Sequence, residues 1–462
     1  MKRSYEIDMC NGSLLPKMLL FAVPLILSGV LQLLFNAADI IVVGRFTGSQ
    51  ALAAVGSTGA LINLLINVFM GLSIGTNVLV AQYYGAHDEE NVSDTVHTSI
   101  LLSIVSGVVL IFLGILLAKP LLTLMGTPDD VLDQAALYMR IYFAGMPVIM
   151  LYNFGSAVLR AIGDTKRPLY FLLTAGIINV VLNLFFVIVF HMGVAGVALA
   201  TVLSQCVSAA LVVLCLMRNE GMCHLDLHRL RIHRSKLLQI IRVGLPAGIQ
   251  GAIFSISNVL IQSSVNSFGS IAMAGNTAAS NIEGFIYTSM NALYQTALSF
   301  TSQNMGAKNY HRIGQILIRA LATVGIIGFG LGMCALLGGE ALLGIYSSDP
   351  EVIQYGLARM SVICVTYFLC GMMDVCCGSM RGMGYSILPT IVSLTGACAF
   401  RVLWIFTIFQ WNRTLFILYL SYPISWFITA LAHLICYAYA QKQLKRQLNE
   451  NVSAVEDQGS PS

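Results

Sequence analysis

Long apolar segments recur along the whole chain, and short polar stretches separate them. Each apolar segment reaches about 20 residues, the length that an α-helix needs to cross a hydrocarbon layer of roughly 30 Å. The pattern predicts twelve membrane-spanning helices, numbered here as spans 1–12. They occupy residues 17–43, 51–80, 95–118, 132–158, 168–190, 193–217, 238–265, 276–301, 314–338, 352–378, 387–409 and 414–440.

Composition agrees with this pattern and excludes several classes of protein. Of the 462 residues, 57% are hydrophobic and 10% are charged, whereas soluble proteins contain about 25% charged residues. These values exclude a disordered chain and a disulfide-stabilised secreted domain. The 11 cysteines lie mostly within apolar segments and predict neither disulfides nor a metal cluster. The net charge of +4 does not indicate a nucleic-acid partner. The expected fold is an all-α polytopic membrane protein.

Basic residues predict the orientation and the domain boundaries. If the N-terminus is cytoplasmic, the outer loops hold only Arg45, Lys119 and Arg413, and nearly all other loop lysines and arginines face inward. Both termini are then cytoplasmic. The plasma membrane is the expected location. The expected units are a tail (1–16), an N-lobe (17–217), a basic connector (218–237), a C-lobe (238–440) and a second tail (441–462).

An internal repeat relates the two lobes. When the second half of the chain is laid on the first at one constant shift, Gly48 falls on Gly269, Gln82–Gly85 on Gln303–Gly306, and Arg160 on Arg381. Matches at polar and glycine positions, all at one shift, are hard to obtain by chance in apolar sequence. Because each repeat holds an even number of spans, both have the same orientation, as in transporters whose halves are related by an axis along the membrane normal.

Three acidic residues fall well inside predicted spans, where charge is costly and usually functional. The first, Asp39, follows Asn36 on one face of span 1. Polar residues at helical spacing also mark span 5 (Asn179 and Asn183) and span 6 (Thr201). Together they predict a polar chamber. Its oxygens suit Na⁺, with Asp39 as the metal ligand, or Asp39 could bind a proton instead. The alternative is hydrogen bonding that only holds the bundle together.

The second acid, Glu283, begins a polar face of span 8 that continues with Tyr287, Met290 and Tyr294. A buried carboxylate beside aromatic rings suits an organic cation, through charge pairing and cation–π attraction. This face is therefore a candidate substrate site. The alternative is an ordinary cavity lining with one satisfied acid.

The third acid, Asp374, stands seven residues before Arg381 in span 10. The favoured interpretation is an ion pair with that loop arginine, and the alternative is a conformational role. Pro24 and Pro246 occupy near-equivalent places in the two repeats. Proline bends a helix, so these positions are candidate gates or static packing features.

Several segments together resemble the multidrug and toxic compound extrusion (MATE) family over essentially the whole chain. They are Pro24, Asn36-Ala-Ala-Asp39, Gln82-Tyr-Tyr-Gly85-Ala86, the segment Gly155–Pro168, Gln303-Asn-Met-Gly306 and Arg381-Gly-Met-Gly384. The resemblance implies twelve helices in two six-helix lobes around a V-shaped cleft. It also implies cation-coupled antiport of organic, often cationic, compounds by alternating access.

In members with a first-lobe cation site, the resemblance assigns cation coupling to Asp39, Asn179, Asn183 and Thr201. Many relatives have Asp where Asn183 stands, so the choice between Na⁺ and H⁺ stays open. We expect a monomeric antiporter, not an enzyme, that contacts lipid and small organic substrates and needs no cofactor beyond its coupling ion. The main alternative is a flippase for lipid-linked saccharides, which should have a basic central cleft. A channel or an intramembrane enzyme is less favoured.

Overall fold

The computed structural model describes residues 5–458, with side chains described as far as Leu444 and at Arg446. The first four and last four residues of the two expected tails lie outside this range. Between residues 5 and 458 the chain is almost entirely helical and contains no β-strand. The α-helices are α1 (Leu14–Phe46), α2 (Ser49–Gly85), α3 (Glu89–Leu124), α4 (Asp129–Ala144), α5 (Met146–Ala161), α6 (Lys166–Leu184), α7 (Gly193–Met217), α8 (Arg234–Asn266), α9 (Ser270–Gly306), α10 (Tyr310–Leu337), α11 (Gly339–Gly344), α12 (Pro350–Gly382), α13 (Ile387–Ser393), α14 (Phe400–Phe406), α15 (Ile408–Trp411) and α16 (Leu415–Gln458).

These helices account for all twelve predicted spans. By length and hydropathy, ten described segments could cross a membrane, and the α4–α5 pair, bent by 49°, could form an eleventh. The twelfth is α9, which has 37 residues but is rich in polar side chains. Most of α9 is buried among other helices, including the polar Asn276, Glu283 and Ser289, although Asn281 and Asn291 are exposed. The all-α membrane fold is therefore confirmed.

Four predicted spans are interrupted or extended in the structure, and one of them, span 5, ends in a π-helical segment, Phe185–Val189. Span 4 is broken between α4 and α5 at Gly145, where a Cβ atom would lie 2.5 Å from Val202 Cγ2, and Pro147 starts the next helix. Span 11 is interrupted by a π-helical segment, Leu394–Ala399, between α13 and α14. Span 12 was predicted to end at residue 440, whereas α16 continues to Gln458. Hydropathy marks the apolar length of a helix and misses both breaks and polar extensions.

The backbone repeats the same unusual turns in both halves. Gly48 and Gly269 have φ values of 103° and 100°, and Gly163 and Gly384 have φ values of 93° and 95°. His87 and Lys308 also match, at 56° and 58°. All three pairs are related by the same shift that aligns the two halves of the sequence. Left-handed φ values are uncommon outside glycine, so their recurrence supports the duplication predicted from sequence.

The two lobes, α1–α7 and α8–α16, touch closely where α2 and α9 end. Gly85 and Gly306 each pack against the backbone of the other lobe: an added Cβ would lie 2.0 Å from Gln303 O and 1.7 Å from Gln82 O, respectively. Gln82 Nε2 donates to Gly382 O at 2.9 Å, and Gln303 Nε2 donates to Ala161 O at 2.6 Å. We call this the closed end of the molecule.

Residues 5–13 form an N-terminal strap across the closed end. Ile7 N donates to Gly163 O in the first lobe at 3.3 Å. Met9 is completely buried, and its carbonyl accepts from Asn304 Nδ2 at 3.1 Å and from Arg312 Nε at 3.3 Å in the second lobe. The strap therefore links the two lobes at this end.

The opposite end is open. The cross-lobe hydrogen bond farthest from the closed end, among those of the described residues, joins Asn67 Nδ2 to Ser255 Oγ at 3.2 Å. Asn67 lies midway along α2. Beyond it, Gly48 and Gly269 at the far turns have no atom within 4 Å of an added Cβ. The lobes thus enclose a V-shaped cleft.

Candidate functional site

The first polar site lies inside the first lobe and joins three helices. Asn183 Nδ2 on α6 donates to Asp39 Oδ1 on α1 and to Asn179 Oδ1 at 3.1 Å. Asn179 Nδ2 in turn donates to Thr201 Oγ1 on α7 at 3.3 Å. Asp39, Asn179 and Asn183 are all buried. The structure therefore brings together four of the residues that the sequence placed in one chamber.

Two features distinguish this chamber from ordinary helix packing: a π-helical segment next to it and a buried oxygen without a hydrogen-bond partner. Directly after α6 the helix continues as a π-helical segment, Phe185–Val189, and such segments occur frequently at functional sites. Asn183 Oδ1 is buried and has no hydrogen-bond partner among the described residues. Buried polar atoms are nearly always paired, so this oxygen is an available acceptor beside the Asp39 carboxylate.

Two tyrosines of α4 complete the chamber and were not identified from the sequence. Tyr138 and Tyr142 stack with ring centroids 6.1 Å apart, and both lie near Asp39. Their spacing of four residues on span 4 was the available signal. No group of three or more His, Cys, Asp or Glu residues suited to a metal ion occurs in the described part of the chain. One carboxylate with neutral oxygens suits a monovalent cation or a proton.

Asn36 does not join this network. Its side chain is exposed and lies on the same face of α1 as Gly29, whose added Cβ would meet Thr288 of α9 at 2.1 Å. This face is therefore turned toward the other lobe. The sequence placed Asn36 with Asp39 because a three-residue step keeps two side chains on broadly the same side of a helix. In the structure, Asp39 joins the network inside the first lobe, whereas Asn36 faces the other lobe.

In the second lobe, Glu283 is neutralised. Arg359 on α12 donates from Nε to Glu283 Oε1 at 2.9 Å and from Nη2 to Oε2 at 2.8 Å. Its Nη1 donates to Asn276 Oδ1 at 2.7 Å. Both members of the pair are buried. This pairing agrees with the alternative of a satisfied acid, because a second helix supplies the partner of Glu283, and the contact of Glu283 with substrate stays a prediction.

The other members of this predicted face have distinct environments. Tyr287 is 45% exposed. Met290 is fully buried and packs tightly, since a Cβ at Gly371 would lie 2.6 Å from its sulfur. Tyr294 accepts a hydrogen bond from Arg381 Nη1 at 2.9 Å. Of these three residues only Tyr287 is exposed, and the assignment of this face to substrate stays a prediction.

Asp374 and Arg381 do not form the predicted ion pair. Among the described residues, Asp374 has no hydrogen bond and no basic nitrogen within 4.0 Å, although it interacts electrostatically with Arg381 and Arg401. The Arg381 guanidinium is held by neutral acceptors on other helices, including Gln250 Oε1 at 2.7 Å and Thr390 Oγ1 at 3.2 Å. Those contacts direct the arginine away from the carboxylate.

Three arginines of the second lobe, Arg359, Arg381 and Arg401, are buried at different depths of the helices. Arg401 on α14 lies over the ring of Tyr422, with its Cζ 4.4 Å from the centroid, and near Trp426 at 5.6 Å. Arg359 and Arg401 fall within predicted spans 10 and 11, and arginine within a span was the signal that could have identified them. Their surroundings could not be predicted from the local sequence.

Both prolines lie inside continuous helices. Pro24 is part of α1 and Pro246 is part of α8, and neither helix ends there. Pro246 stands between Gly244 and Gly248, which pack against the backbone of α2. Their role as gates stays a prediction.

A model of the family described as MatE matches this chain twice, over residues 24–185 and 246–407. The chain belongs to the MatE family. The two matches begin at near-equivalent positions of the two halves, in agreement with the internal repeat. The sequence-based resemblance to MATE proteins is thereby confirmed, and the protein is a multi-pass membrane transporter.

Individual relatives agree with this assignment. The chain is 28% identical to "Probable multidrug resistance protein YoeA" of Bacillus subtilis, covering 93% of this chain and 94% of the relative. It is 26% identical to a "FAD transporter" of Shewanella oneidensis, covering 71% and 74%. A solved structure titled "Outward-facing conformation of a multidrug resistance MATE family transporter of the MOP superfamily" superposes with a TM-score of 0.89 at 22% identity, covering 96% of this chain and 100% of the other.

Proposed function

We propose that this MatE protein is a plasma-membrane antiporter that exports small organic compounds in exchange for Na⁺ or H⁺ bound at Asp39. The observation that carries the proposal is the buried network of Asp39, Asn183, Asn179 and Thr201. The proposed protein acts as a monomer with both termini in the cytoplasm, in keeping with the basic residues of its inner loops.

The coupling step is a change in the charge and bonding of Asp39. A bound cation or proton neutralises the carboxylate and competes with the hydrogen bond that Asn183 donates to it. Because Asp39 is on α1 and Asn183 on α6, this exchange alters how α1 packs. A ligand shifts a two-state equilibrium only by its differential affinity for the two states. An inward-moving cation also gains about 2.3 kcal/mol per charge per 100 mV.

The choice of exported compounds follows the relatives in general terms. One relative is named as a multidrug resistance protein and another as an FAD transporter, so small organic compounds are the proposed class. The sequence-based expectation of a cationic substrate had two grounds, the resemblance to MATE proteins and the Glu283 carboxylate. The Arg359–Glu283 pair weakens the second ground.

Transport by purified protein in proteoliposomes tests the proposal. Uptake of ethidium and carboxyfluorescein would be followed under an imposed Na⁺ gradient or an imposed pH gradient. We expect one gradient to drive transport in the wild type and Asp39→Asn to abolish that dependence. Asp133→Asn is the matched control, because the Asp133 side chain is 85% exposed and pairs only with Lys119. Gradient-driven transport that survives Asp39→Asn would refute the coupling site.

A flippase for lipid-linked saccharides is the alternative that the sequence left open, and it should have a basic central cleft. The buried Arg359, Arg381 and Arg401 lie inside the second lobe, and Arg359 is paired with Glu283, so they do not supply such a cleft. Translocation of a fluorescent lipid-linked phosphate in the same vesicles, with neither dye transported, would favour this candidate over drug export.

A further inference from the structure

An open pocket of about 460 Å³ lies between the start of α3 and the basic connector. The connector is held there by its backbone: Asp226 N donates to His97 Nε2 at 3.1 Å, and His233 N donates to Thr98 Oγ1 at 3.1 Å. The pocket is separate from the Asp39 network and from the buried arginines. Its titratable lining residues are Asp94 and His97 of α3 and His228, Arg229, Arg231 and His233 of the connector.

Charges of both signs line this pocket. The Arg231 side chain is exposed, and its guanidinium has no hydrogen bond or ion pair with the described residues. Arg229 is matched by Asp226, whose Oδ2 lies 3.5 Å from its Nε. Asp94 is on the α3 side, and its Oδ1 lies 3.4 Å from His233 Nε2. When His233 is neutral, the pocket therefore presents one unmatched positive charge and one unmatched negative charge.

The other two histidines of the lining do not alter this balance. His97 Nδ1 lies 2.7 Å from Ser93 O and must donate to it, while its Nε2 accepts from Asp226 N, so this ring is neutral. The His228 side chain is 98% exposed, and its Nδ1 lies 3.3 Å from Asp226 Oδ1. A lining of one unmatched cation and one unmatched anion is complementary to a ligand that carries both charges.

The pocket lies on the lipid-facing side of α3. Val105 and Val108 are 44% and 40% exposed within the apolar part of this helix, where exposed side chains contact hydrocarbon. Asp94 precedes Val105, and His97 precedes Val108, by about three helical turns. All four residues therefore stand on one side of α3. An amphipathic ligand whose polar end occupies the pocket can extend its apolar part along this side.

Apolar residues of the connector flank the same pocket. Leu227 and Ile232, which adjoin lining residues in the sequence, are 46% and 37% exposed. Basic residues beside exposed leucine and isoleucine are typical of a segment that lies at a membrane surface. A soluble phosphate compound would leave these apolar side chains uncovered, whereas a lipid would cover them. The observations therefore favour a membrane lipid as the occupant.

From these observations we propose that this pocket binds a membrane phospholipid with an ethanolamine headgroup: its phosphate on Arg231, its ammonium on Asp94 and its acyl chains along the exposed side of α3. Guanidinium and phosphate form charge-assisted hydrogen bonds, and basic pockets beside membrane helices bind lipid headgroups. The ethanolamine ammonium also donates hydrogen bonds to a carboxylate, which a choline group cannot do. A glycerol headgroup has no positive charge and leaves Asp94 unmatched. The inference concerns lipid binding and does not depend on the proposed antiport.

Native mass spectrometry of the delipidated full chain tests the inference at pH 8, where histidine is neutral. The probes are three dioleoyl lipids that differ only in their headgroup: phosphatidylethanolamine, phosphatidylcholine and phosphatidylglycerol. We expect phosphatidylethanolamine to bind most tightly to the wild type. Arg231→Met should weaken binding of all three lipids by about fivefold, the effect of one basic residue near a lipid phosphate. Asp94→Asn should lower the affinity for phosphatidylethanolamine to that for phosphatidylcholine. Arg218→Met, which changes an exposed connector residue outside the pocket, is the matched control and should bind as the wild type does.

Thermal unfolding would be recorded for every variant, so that a loss of binding is measured only on folded protein. Equal binding of the three lipids by the wild type would overturn the inference, as would tighter binding of phosphatidylglycerol, unchanged affinity in Arg231→Met or an unchanged lipid preference in Asp94→Asn. Phosphorylethanolamine and inorganic phosphate distinguish a lipid from a soluble phosphate compound, and neither should displace phosphatidylethanolamine at equal concentration. Displacement by either would assign the pocket to a soluble phosphate and overturn the lipid assignment.

Discussion

The closed end provides the sharpest test of how the two lobes move. Replacing Gly306 by Ala would place a Cβ 1.7 Å from Gln82 O, and replacing Gly85 by Ala would place one 2.0 Å from Gln303 O. Ordinary contacts begin at 3.4 Å, so the facing backbone must retreat by well over an ångström in either variant. Backbone carbonyls cannot rotate away as side chains do. Overpacking of this kind costs about 1–3 kcal/mol.

That cost falls only on the conformation in which this end is closed. The ratio of closed to separated molecules should therefore drop by about 5-fold to 150-fold in either variant. Labelling of Cys10 in the strap by a membrane-impermeant maleimide reports the change, in a background where the other cysteines are replaced. Cys10 is partly buried beside Gln303 when this end is closed.

Gly56→Ala is the matched control, since Gly56 lies on α2 like Gly85 and an added Cβ there meets nothing within 4 Å. Thermal unfolding would be recorded for every variant, to separate opening from loss of the fold. Cys10 labelling that stays at the wild-type rate in folded Gly85→Ala and Gly306→Ala would refute the reasoning.

Four further predictions follow from other contacts. Glu283→Gln or Arg359→Met alone should destabilise the protein by about 3–5 kcal/mol, because breaking a buried pair leaves one charge uncompensated. The double variant should be destabilised by less than the sum of the two, and thermal unfolding measures both effects. Asn183→Asp should add a second carboxylate beside Asp39 and increase stabilisation by NaCl relative to choline chloride, and an unchanged salt response would contradict the assignment of Asn183. Met9→Ala should cost about 2–5 kcal/mol of packing at the strap and speed labelling of Cys10, whereas an unchanged rate would show that the strap does not hold the lobes together. Asn36→Ala should leave gradient-dependent transport intact because Asn36 is outside the Asp39 network, and loss of coupling would place it back in the site.

The sequence predicted those features that depend on local spacing. Lipid selects long apolar segments, so the spans could be located, and helical periodicity was enough to place Asn179 and Asn183 on one face opposite Asp39. Pairing between distant segments could not be predicted in this way. Nothing local to Glu283 indicates that Arg359, 76 residues later, lies beside it. Arg381 likewise stood near Asp374 in sequence, while its actual partners come from α8, α9 and α13.

The break at Gly145 shows a second limit. A glycine and a proline within an apolar segment are compatible with either a straight or a bent helix, and contact with Val202 on α7 decides between them. The environment of Arg401 could not be predicted either, because it depends on which of its N–H donors remain unpaired after the helices have packed. Such features exist only in three dimensions.

The two lobes meet along two interfaces, α2 with α8 and α1 with α9, and glycines allow closer backbone contact at the first than at the second. Gly71 and Gly75 of α2 meet the backbone at Gly248, Gly244 and Ile240. At the symmetry-related interface between α9 and α1, the repeat places Ala292, Thr296, Val23 and Leu27 at the corresponding positions, so bulkier side chains separate those helices. Any relative rotation of the lobes that preserves these glycine contacts must have its axis along the α2–α8 interface. The gap between the lobes then widens most between α1 and α9, the helices that carry Asp39 and Glu283.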